Sequence, residues 1–248
     1  KDEIILDNLS ADIPKNSVVG IVGRSGSGKS TLLKLFMRFW KVENGSVKLS
    51  DTDIEHINTA NLRNMESFVT QETHLFHDSI KNNIRIAKLN ATDEEIKAAC
   101  QKASVHEFIM TLPQGYDTQV GELGDTLSGG ERQRARIAMA IAQKRELMLL
   151  DEPTTYLDIA HQLEIMELVA ALNREEGITV VMVLHDMNHA ARYSDELILL
   201  NRSKVHTIGA PRELLENGEL ENVFSVEAEI LSDSEDNSPV FYAKRKKQ

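Results

Sequence analysis

The run from Gly23 to Thr31 reads Gly-Arg-Ser-Gly-Ser-Gly-Lys-Ser-Thr. Its spacing, Gly-x-x-x-x-Gly-Lys-Ser, is that of a loop that cradles the phosphates of a nucleotide. The residue types explain the chemistry. Successive backbone N–H groups from Gly23, Arg24, Ser25, Gly26, Ser27 and Gly28 can converge on an anion, and a helix starting behind them turns its positive end the same way. Gly23, Gly26 and Gly28 place no Cβ between backbone and ligand. Lys29 is spaced to reach the β- and γ-phosphates, and the Ser30 hydroxyl, followed by Thr31, to ligate Mg²⁺. Three further polar positions, Gln71, Asp151-Glu152 and His185, stand where apolar runs stop. Taken singly, each has a plain structural explanation: a loop cap, a solvated carboxylate pair, a strand-end histidine. Their joint presence beside a phosphate loop points to chemistry, because open α/β sheets bind ligands outside the carboxyl ends of their strands. Asp151 can hold Mg²⁺ through its water shell. Glu152 can polarise an attacking water.

Elements must hold these groups in place. Ser17 to Val22 is a continuous apolar run suited to a buried parallel strand, and Lys29 to Phe39 follows as a helix with Leu32, Leu33, Leu35, Phe36 and Phe39 on one face. Glu3–Leu9 is expected as an earlier strand, Ser46–Leu49 as a short one, Asp51–Asn58 as a loop and Ala60–Asn64 as a short helix. Glu66–Thr70 is expected as a core strand ending at Gln71. From Glu72 to about Leu123 strand signals vanish, and amphipathic helices fit Ile80–Ile86, Thr92–Ala103 and Val105–Leu112, with Thr92 and Glu95 spaced as a capping box. A helical insertion therefore divides an α/β core. Leu127-Ser128-Gly129-Gly130 opens a further helix to about Gln143, whose Arg132, Arg134 and Arg136 read as a solvated or ion-paired face. Leu147–Leu150 is a buried strand and Ile159–Glu176 a helix closed by Gly177. Ile178–Leu184 is the most β-like run, followed by helix Asn188–Tyr193 and strands Glu196–Leu200 and Lys204–Ile208. Pro211–Phe224 gives short helices, Val226–Leu231 and Val240–Ala243 a hairpin, and Lys244–Lys247 a frayed tail.

Composition limits the function classes. The net charge of -11 argues against nucleic-acid binding, which favours a basic face. The single cysteine, Cys100, excludes an internal disulfide framework and suits a reducing compartment. No apolar run reaches the roughly 20 residues that span a bilayer.

With these motifs in order, the chain resembles the nucleotide-binding domain of ABC transporters over nearly its whole length. Gly23–Thr31 matches Walker A, Gln71 the Q-loop, Leu127–Gln133 the signature and Leu147–Asp151 Walker B. Glu152 follows, with a D-loop at Thr155-Tyr156-Leu157-Asp158 and His185 as the switch histidine. The resemblance implies an α/β P-loop NTPase core with a RecA-like, mostly parallel sheet, a small antiparallel β subdomain and a helical insertion subdomain. The expected division is a single ATPase domain, with residues 1–71 and 144–210 as the core, 72–143 as the helical part with the signature, and 211–248 as terminal helices and hairpin. It further implies ATP and Mg²⁺ as ligands. Lys29, Gln71, Glu152 and His185 take part in catalysis, and Ser30, Gln71 and Asp151 lie at the metal. Ser128, Gly129, Gly130 and Asp158 join the Walker A residues at the nucleotide. Two such domains, whether copies or homologues, pack head to tail around two ATP molecules, and the helical part docks on transmembrane subunits or domains. The domain then sits in the cytoplasm, peripheral to the inner face of the cell membrane.

Two features depart from that pattern. The aromatic residue that stacks on adenine in the family would fall just before Lys1, so weak ATP affinity and poor discrimination against GTP are expected. The segment from Ile4 to about Arg134 looks like an exporter domain, especially at Val69–Phe76 and Gln119–Asp125. From about Ile137 the chain looks like an iron–siderophore importer ATPase, at Ile137–Ala140, Thr154–Gln162 and Leu184–Asn188. An engineered fusion joined near the signature is the reading favoured over a divergent natural member. A soluble ATP-driven switch of the same class, or a folded but weakly active fusion, are the alternatives to a transport ATPase.

Overall fold

β1 (Val18–Gly23) is buried at all six positions, as its unbroken apolar sequence requires. The computed structural model that shows this describes residues 5–71, 75–121, 127–234 and 237–245. By internal contacts the chain forms two units, residues 1–59 with 179–248, and residues 60–178.

In the first unit β1 lies between two parallel neighbours, β6 (Thr179–Val183) and β7 (Glu196–Asn201), with Val18 opposite Val180 and Val19 opposite Glu196. β8 (Lys204–Gly209) adds antiparallel to the far side of β7. Val19, Ile21, Val180–Val183 and Leu197–Leu200 form a core closed to solvent. α1 (Lys29–Phe36) leaves β1 through the Gly-rich loop. It is shorter than its apolar pattern predicts: Arg38 turns to φ 48°, and Phe39 emerges half exposed, while Leu32, Leu33 and Met37 are buried. The Arg38 guanidinium explains the stop. It donates to the carbonyls of Ile54 and Ile57 and to the Thr59 hydroxyl, at 2.5, 2.7 and 2.5 Å. Residues 51–58, expected as a plain loop, are thereby ordered: β3 (Thr52–Asp53) pairs with β2 (Lys48–Leu49), and a 3₁₀ turn follows at Ile54–His56. The strand expected over Glu3–Leu9 begins outside the described residues, and its described part is irregular. Asn8 adopts φ 49°, and a backbone bond from Asp7 N to Ser203 O ties the segment in place.

α8 (Met187–Tyr193), capped by Asp186, and the short helices α9 (Pro211–Glu216) and α10 (Glu219–Phe224) complete this unit with a hairpin of β9 (Glu227–Ser232) and β10 (Pro239–Lys244). The hairpin forms as the sequence pattern predicts. Lys244 is part of it, ion-paired with Glu229, and not of a tail. The Asn188 side chain accepts from Phe241 N at 2.7 Å, which fixes the hairpin to α8.

In the second unit α2 (Thr59–Met65) leads into β4 (Glu66–Val69), which pairs in parallel with β5 (Leu147–Asp151), Val69 opposite Leu150. Between them lie α3 (Ile80–Ala87), α4 (Asp93–Lys102), α5 (His106–Thr111) and α6 (Gly129–Ala142), close to their expected bounds. The expected Thr92–Glu95 capping box is present in both directions. The exporter-like stretches at Val69–Phe76 and Gln119–Asp125 lie in part outside the described residues. α7 (Ile159–Glu176) ends at Gly177, φ 66°. Ile80, Ile84, Ile96, Ile109 and Ile137 close the core of the helices. None of the described helices is long and apolar enough to cross a membrane.

Cys100 sits in that core. Its thiol is fully buried, and desolvation raises its pKa to about 11. The nearby Tyr116 hydroxyl bonds His106 Nδ1 at 2.8 Å. At pH 8 only about one such thiol in a thousand is ionised, and the thiolate is the reactive form. Cys100 is therefore expected to resist a thiol-specific reagent such as Ellman's in the folded protein and to react fully in guanidinium. Rapid labelling under native conditions would show that the helical region opens.

Candidate active site

In the first unit, the Gly-rich loop follows β1 directly. Gly28 serves as N-cap of α1 with φ 96°, and Gly26 has φ 75°. Those left-handed values are the reason for glycine at both. At Gly28 a Cβ would also stand 2.5 Å from Leu6 Cδ2 and 3.0 Å from Ile5 O, whereas at Gly26 no atom lies within 4 Å. The loop is therefore packed on one side and open on the other. The buried Lys29 ammonium reaches back along it and donates to Gly23 O at 2.9 Å and Arg24 O at 3.0 Å. Ser27 is also buried, and its hydroxyl finds no hydrogen-bond partner among the described residues. A cradle that is open at Gly26, backed by an ammonium and holding an orphan hydroxyl, fits a polyphosphate. Ser25, Ser30 and Thr31 lie in the loop and first turn as expected. Arg24 keeps its backbone in the loop, but its guanidinium turns to the end of α10 and donates to Phe224 O at 3.0 Å and Ser225 Oγ at 2.7 Å. His185 stands exposed after β6, the strand beside β1, so it shares the carboxyl edge from which the loop springs.

The second unit gathers the other groups. Asp151, the last residue of β5, is buried. Glu152 follows at φ 52°, a left-handed conformation unusual for a side chain of its size and of the kind found at functional turns. Its Oε2 accepts from Gln71 Nε2 at 2.9 Å and from Thr155 Oγ1 at 3.1 Å. With its amide nitrogen on Glu152, Gln71 directs its carbonyl oxygen elsewhere. Within this unit the Asp151 carboxylate and the Gln71 side-chain carbonyl are hard oxygen donors of the type Mg²⁺ takes. Three or more His, Cys, Asp or Glu side chains are nowhere clustered as a metal site among the described residues.

α6 begins at Ser128, whose hydroxyl accepts from Glu131 N at 3.3 Å while the Glu131 carboxylate accepts from Ser128 N at 2.7 Å. This capping box, legible as Ser-x-x-Glu, escaped the sequence reading. Asp158 caps α7: Oδ1 accepts from His161 N at 2.9 Å and Oδ2 lies 2.7 Å from His161 Nδ1. Those bonds, the backbone one first, hold its pKa below the ordinary carboxylate value. Of the three arginines read as a surface face, Arg134 pairs with Glu164, Arg132 donates to Leu127 O, and Arg136 reaches Thr70. By sequence Thr155 is only part of the D-loop and Arg136 only part of a charged face, and His161 has no assigned role. The Arg136 contact escapes that reading because Thr70 lies 66 residues away, where local spacing gives no signal.

Comparison with known proteins shows the family. The family pattern described as ABC transporter matches residues 6–155. A probable ABC transporter ATP-binding/permease protein of Haemophilus influenzae is 46% identical over 184 residues, 74% of this chain and 33% of that protein. The petrobactin import ATP-binding protein FpuC of Bacillus anthracis is 40% identical over 250 residues, 97% of this chain and 88% of that protein. A bacterial Atm1-family ABC exporter solved with ATP bound superposes with a TM-score of 0.82 at 34% identity, covering 89% of this chain and 38% of the exporter chain. The chain thus spans 33% of the ATP-binding/permease protein, 38% of the exporter chain and 88% of the import ATP-binding protein, so exporter and importer types are both represented among its relatives.

The two glycines separate packing from phosphate approach. Gly26→Ala is expected to lower the melting temperature only through the left-handed strain, about 1–3 kcal/mol, with no added clash, and to weaken binding of a fluorescent ATP analogue. Gly28→Ala should lower both, with strain of about 1–3 kcal/mol at the left-handed position adding to the clash with Leu6. Equal melting temperatures for the two variants would contradict this account of the loop.

Proposed function

The chain belongs to the ABC transporter family as an ATP-binding, ATP-hydrolysing component, and from that premise we propose that it works as one half of an ATP-driven pair of such domains that powers transport across a membrane. The observation that carries the hydrolytic part is the Glu152 carboxylate, set at the end of β5 with one oxygen fixed by Gln71 and Thr155. A carboxylate held this way keeps a fixed aim, and a general base must be aimed before its basicity matters.

In this reading the loop from Gly23 to Thr31 binds the phosphates, with Lys29 leaving its contacts on Gly23 and Arg24 or sharing them with phosphate oxygens. Ser30, Gln71 and Asp151 would hold Mg²⁺, which neutralises charge on the phosphates when bound. Glu152 takes the proton of the attacking water, while His185, at the carboxyl edge of β6, donates to the developing phosphate charge. The start of α6, Ser128 to Gly130, presents N–H groups to the γ-phosphate of a nucleotide held by the opposite domain. ATP then joins two domains head to tail, and its hydrolysis releases them. Asp158, whose carboxylate is engaged in capping α7, contributes by shaping the D-loop at that interface. The named relatives support partners that cross the membrane, either as separate subunits or as domains of one polypeptide, and the pair then lies on the cytoplasmic side.

Glu152→Gln keeps the shape and both hydrogen-bond partners but cannot accept the proton. It is expected to bind ATP normally, to lose roughly 10²–10⁴-fold in turnover, and to form a Mg-ATP-dependent dimer by light scattering. Ser128→Arg in the same background should abolish that dimer, because the long side chain fills the space the phosphate would take and the Ser128 cap of α6 is lost. Wild-type turnover in Glu152→Gln would remove the assignment of the base, and a dimer indifferent to nucleotide would remove the ATP-driven pairing.

A further inference from the structure

Two hydrogen-bond donors to Glu152, Gln71 and Thr155, belong to segments braced by the signature helix α6, all within the second unit. Gln71 follows Thr70, and Arg136 of α6 donates to the Thr70 hydroxyl at 2.8 Å and to its carbonyl at 3.3 Å. A guanidinium spanning two oxygens fixes direction as well as distance. Thr155 belongs to the segment from Glu152 to Asp158, whose turns are closed by backbone bonds from Thr155 N to Glu152 O and from Leu157 N to Thr154 O. The far end of that segment rests against the first turn of α6. A Cβ on Gly129 would lie 3.3 Å from Leu157 Cδ2, and one on Gly130 would lie 2.7 Å from His161 Cγ and 2.9 Å from Nε2. His161 cannot retreat easily, because Asp158 holds both its backbone N–H and its ring. Glycine at 130 is thus required by the imidazole beneath it, apart from any need of a ligand.

We propose that Arg136 and His161 are positioning residues for hydrolysis, transmitting the placement of the signature turn to the carboxylate of Glu152. The inference rests on the reading of Glu152 as base and of Ser128–Gly130 as a phosphate site. A small displacement of α6 on engaging phosphate moves Thr70 through Arg136, and moves the 152–158 segment through His161 and Leu157, because close-packed groups pass on such shifts. Engagement at one nucleotide thereby sets the base that serves the other.

Steady-state Mg-ATP hydrolysis by the full chain tests this, with thermal melting to confirm folding. Arg136→Met is expected to lower kcat about tenfold while KM stays within about twofold, since misplacement of a reacting group by even 1 Å is costly and the phosphate loop is untouched. Arg136→Lys should recover part of the loss by reaching one Thr70 oxygen. In a Gln71→Ala background, Arg136→Met should add nothing, the mark of action through Gln71. His161→Ala should likewise lower kcat with KM within about twofold, since the ring that Asp158 holds against the first turn of α6 is removed while the phosphate loop is untouched. Wild-type kcat in a folded Arg136→Met or His161→Ala, or losses that simply multiply in the Gln71→Ala double variant, would overturn the proposal. Wild-type turnover in Glu152→Gln would instead refute the reading beneath it.

Discussion

A buried ammonium needs oxygen around it, and at the end of β1 the Lys29 side chain finds two carbonyls of its own loop. That contact governs the candidate site. It ties the start of α1 back to Gly23 and Arg24, and it sets a full positive charge against the loop between them. Charge-assisted bonds are roughly twice as strong as neutral ones, so an incoming phosphate gains more from this lysine than the carbonyls do. The same position at a helix start adds backbone donors of matching sign. The rest of the first unit supports the loop. β1 is clamped between β6 and β7, and Arg24 is anchored on the last turn of α10.

The second unit solves a different problem: aiming a carboxylate. Glu152 sits in a left-handed turn with two donors on one oxygen, and each donor comes from a segment in contact with α6. On the proposed function, aiming Glu152 draws on contacts that the loop from Gly23 to Thr31 does not share, which is why substitutions there should affect turnover more than binding. The strain at Glu152 is consistent with that aim, since such conformations persist where surrounding contacts over-determine them.

Much of this was legible in the sequence. β1, α3, α4, α7 and the terminal hairpin follow from runs with clear period and clear punctuation, such as Gly177 after α7 or Thr92 before α4. The site motifs were legible because phosphate binding imposes a fixed local spacing. What was not legible depends on partners far away in sequence. Arg38, apolar-flanked and helical by pattern, turns aside because three oxygens between Ile54 and Thr59 receive it. Arg136, read as part of a charged surface, points to Thr70 instead. Arg24 belongs to the phosphate motif by position, yet its side chain serves packing. Local pattern fixed where the backbone donors go, but the aim of long cationic side chains was decided by tertiary contacts.

Calorimetric titration of Mg-ATP into Lys29→Met reaches the central claim most directly. The substitution keeps the length and burial of the side chain and removes only its charge and donors. Loss of a charge-assisted bond worth about 1.5–3 kcal/mol predicts binding weaker by roughly 10- to 100-fold, with the melting temperature of the nucleotide-free protein little changed. Unaltered affinity would mean that the phosphate is held elsewhere, and that the loop from Gly23 to Thr31 is not the nucleotide site.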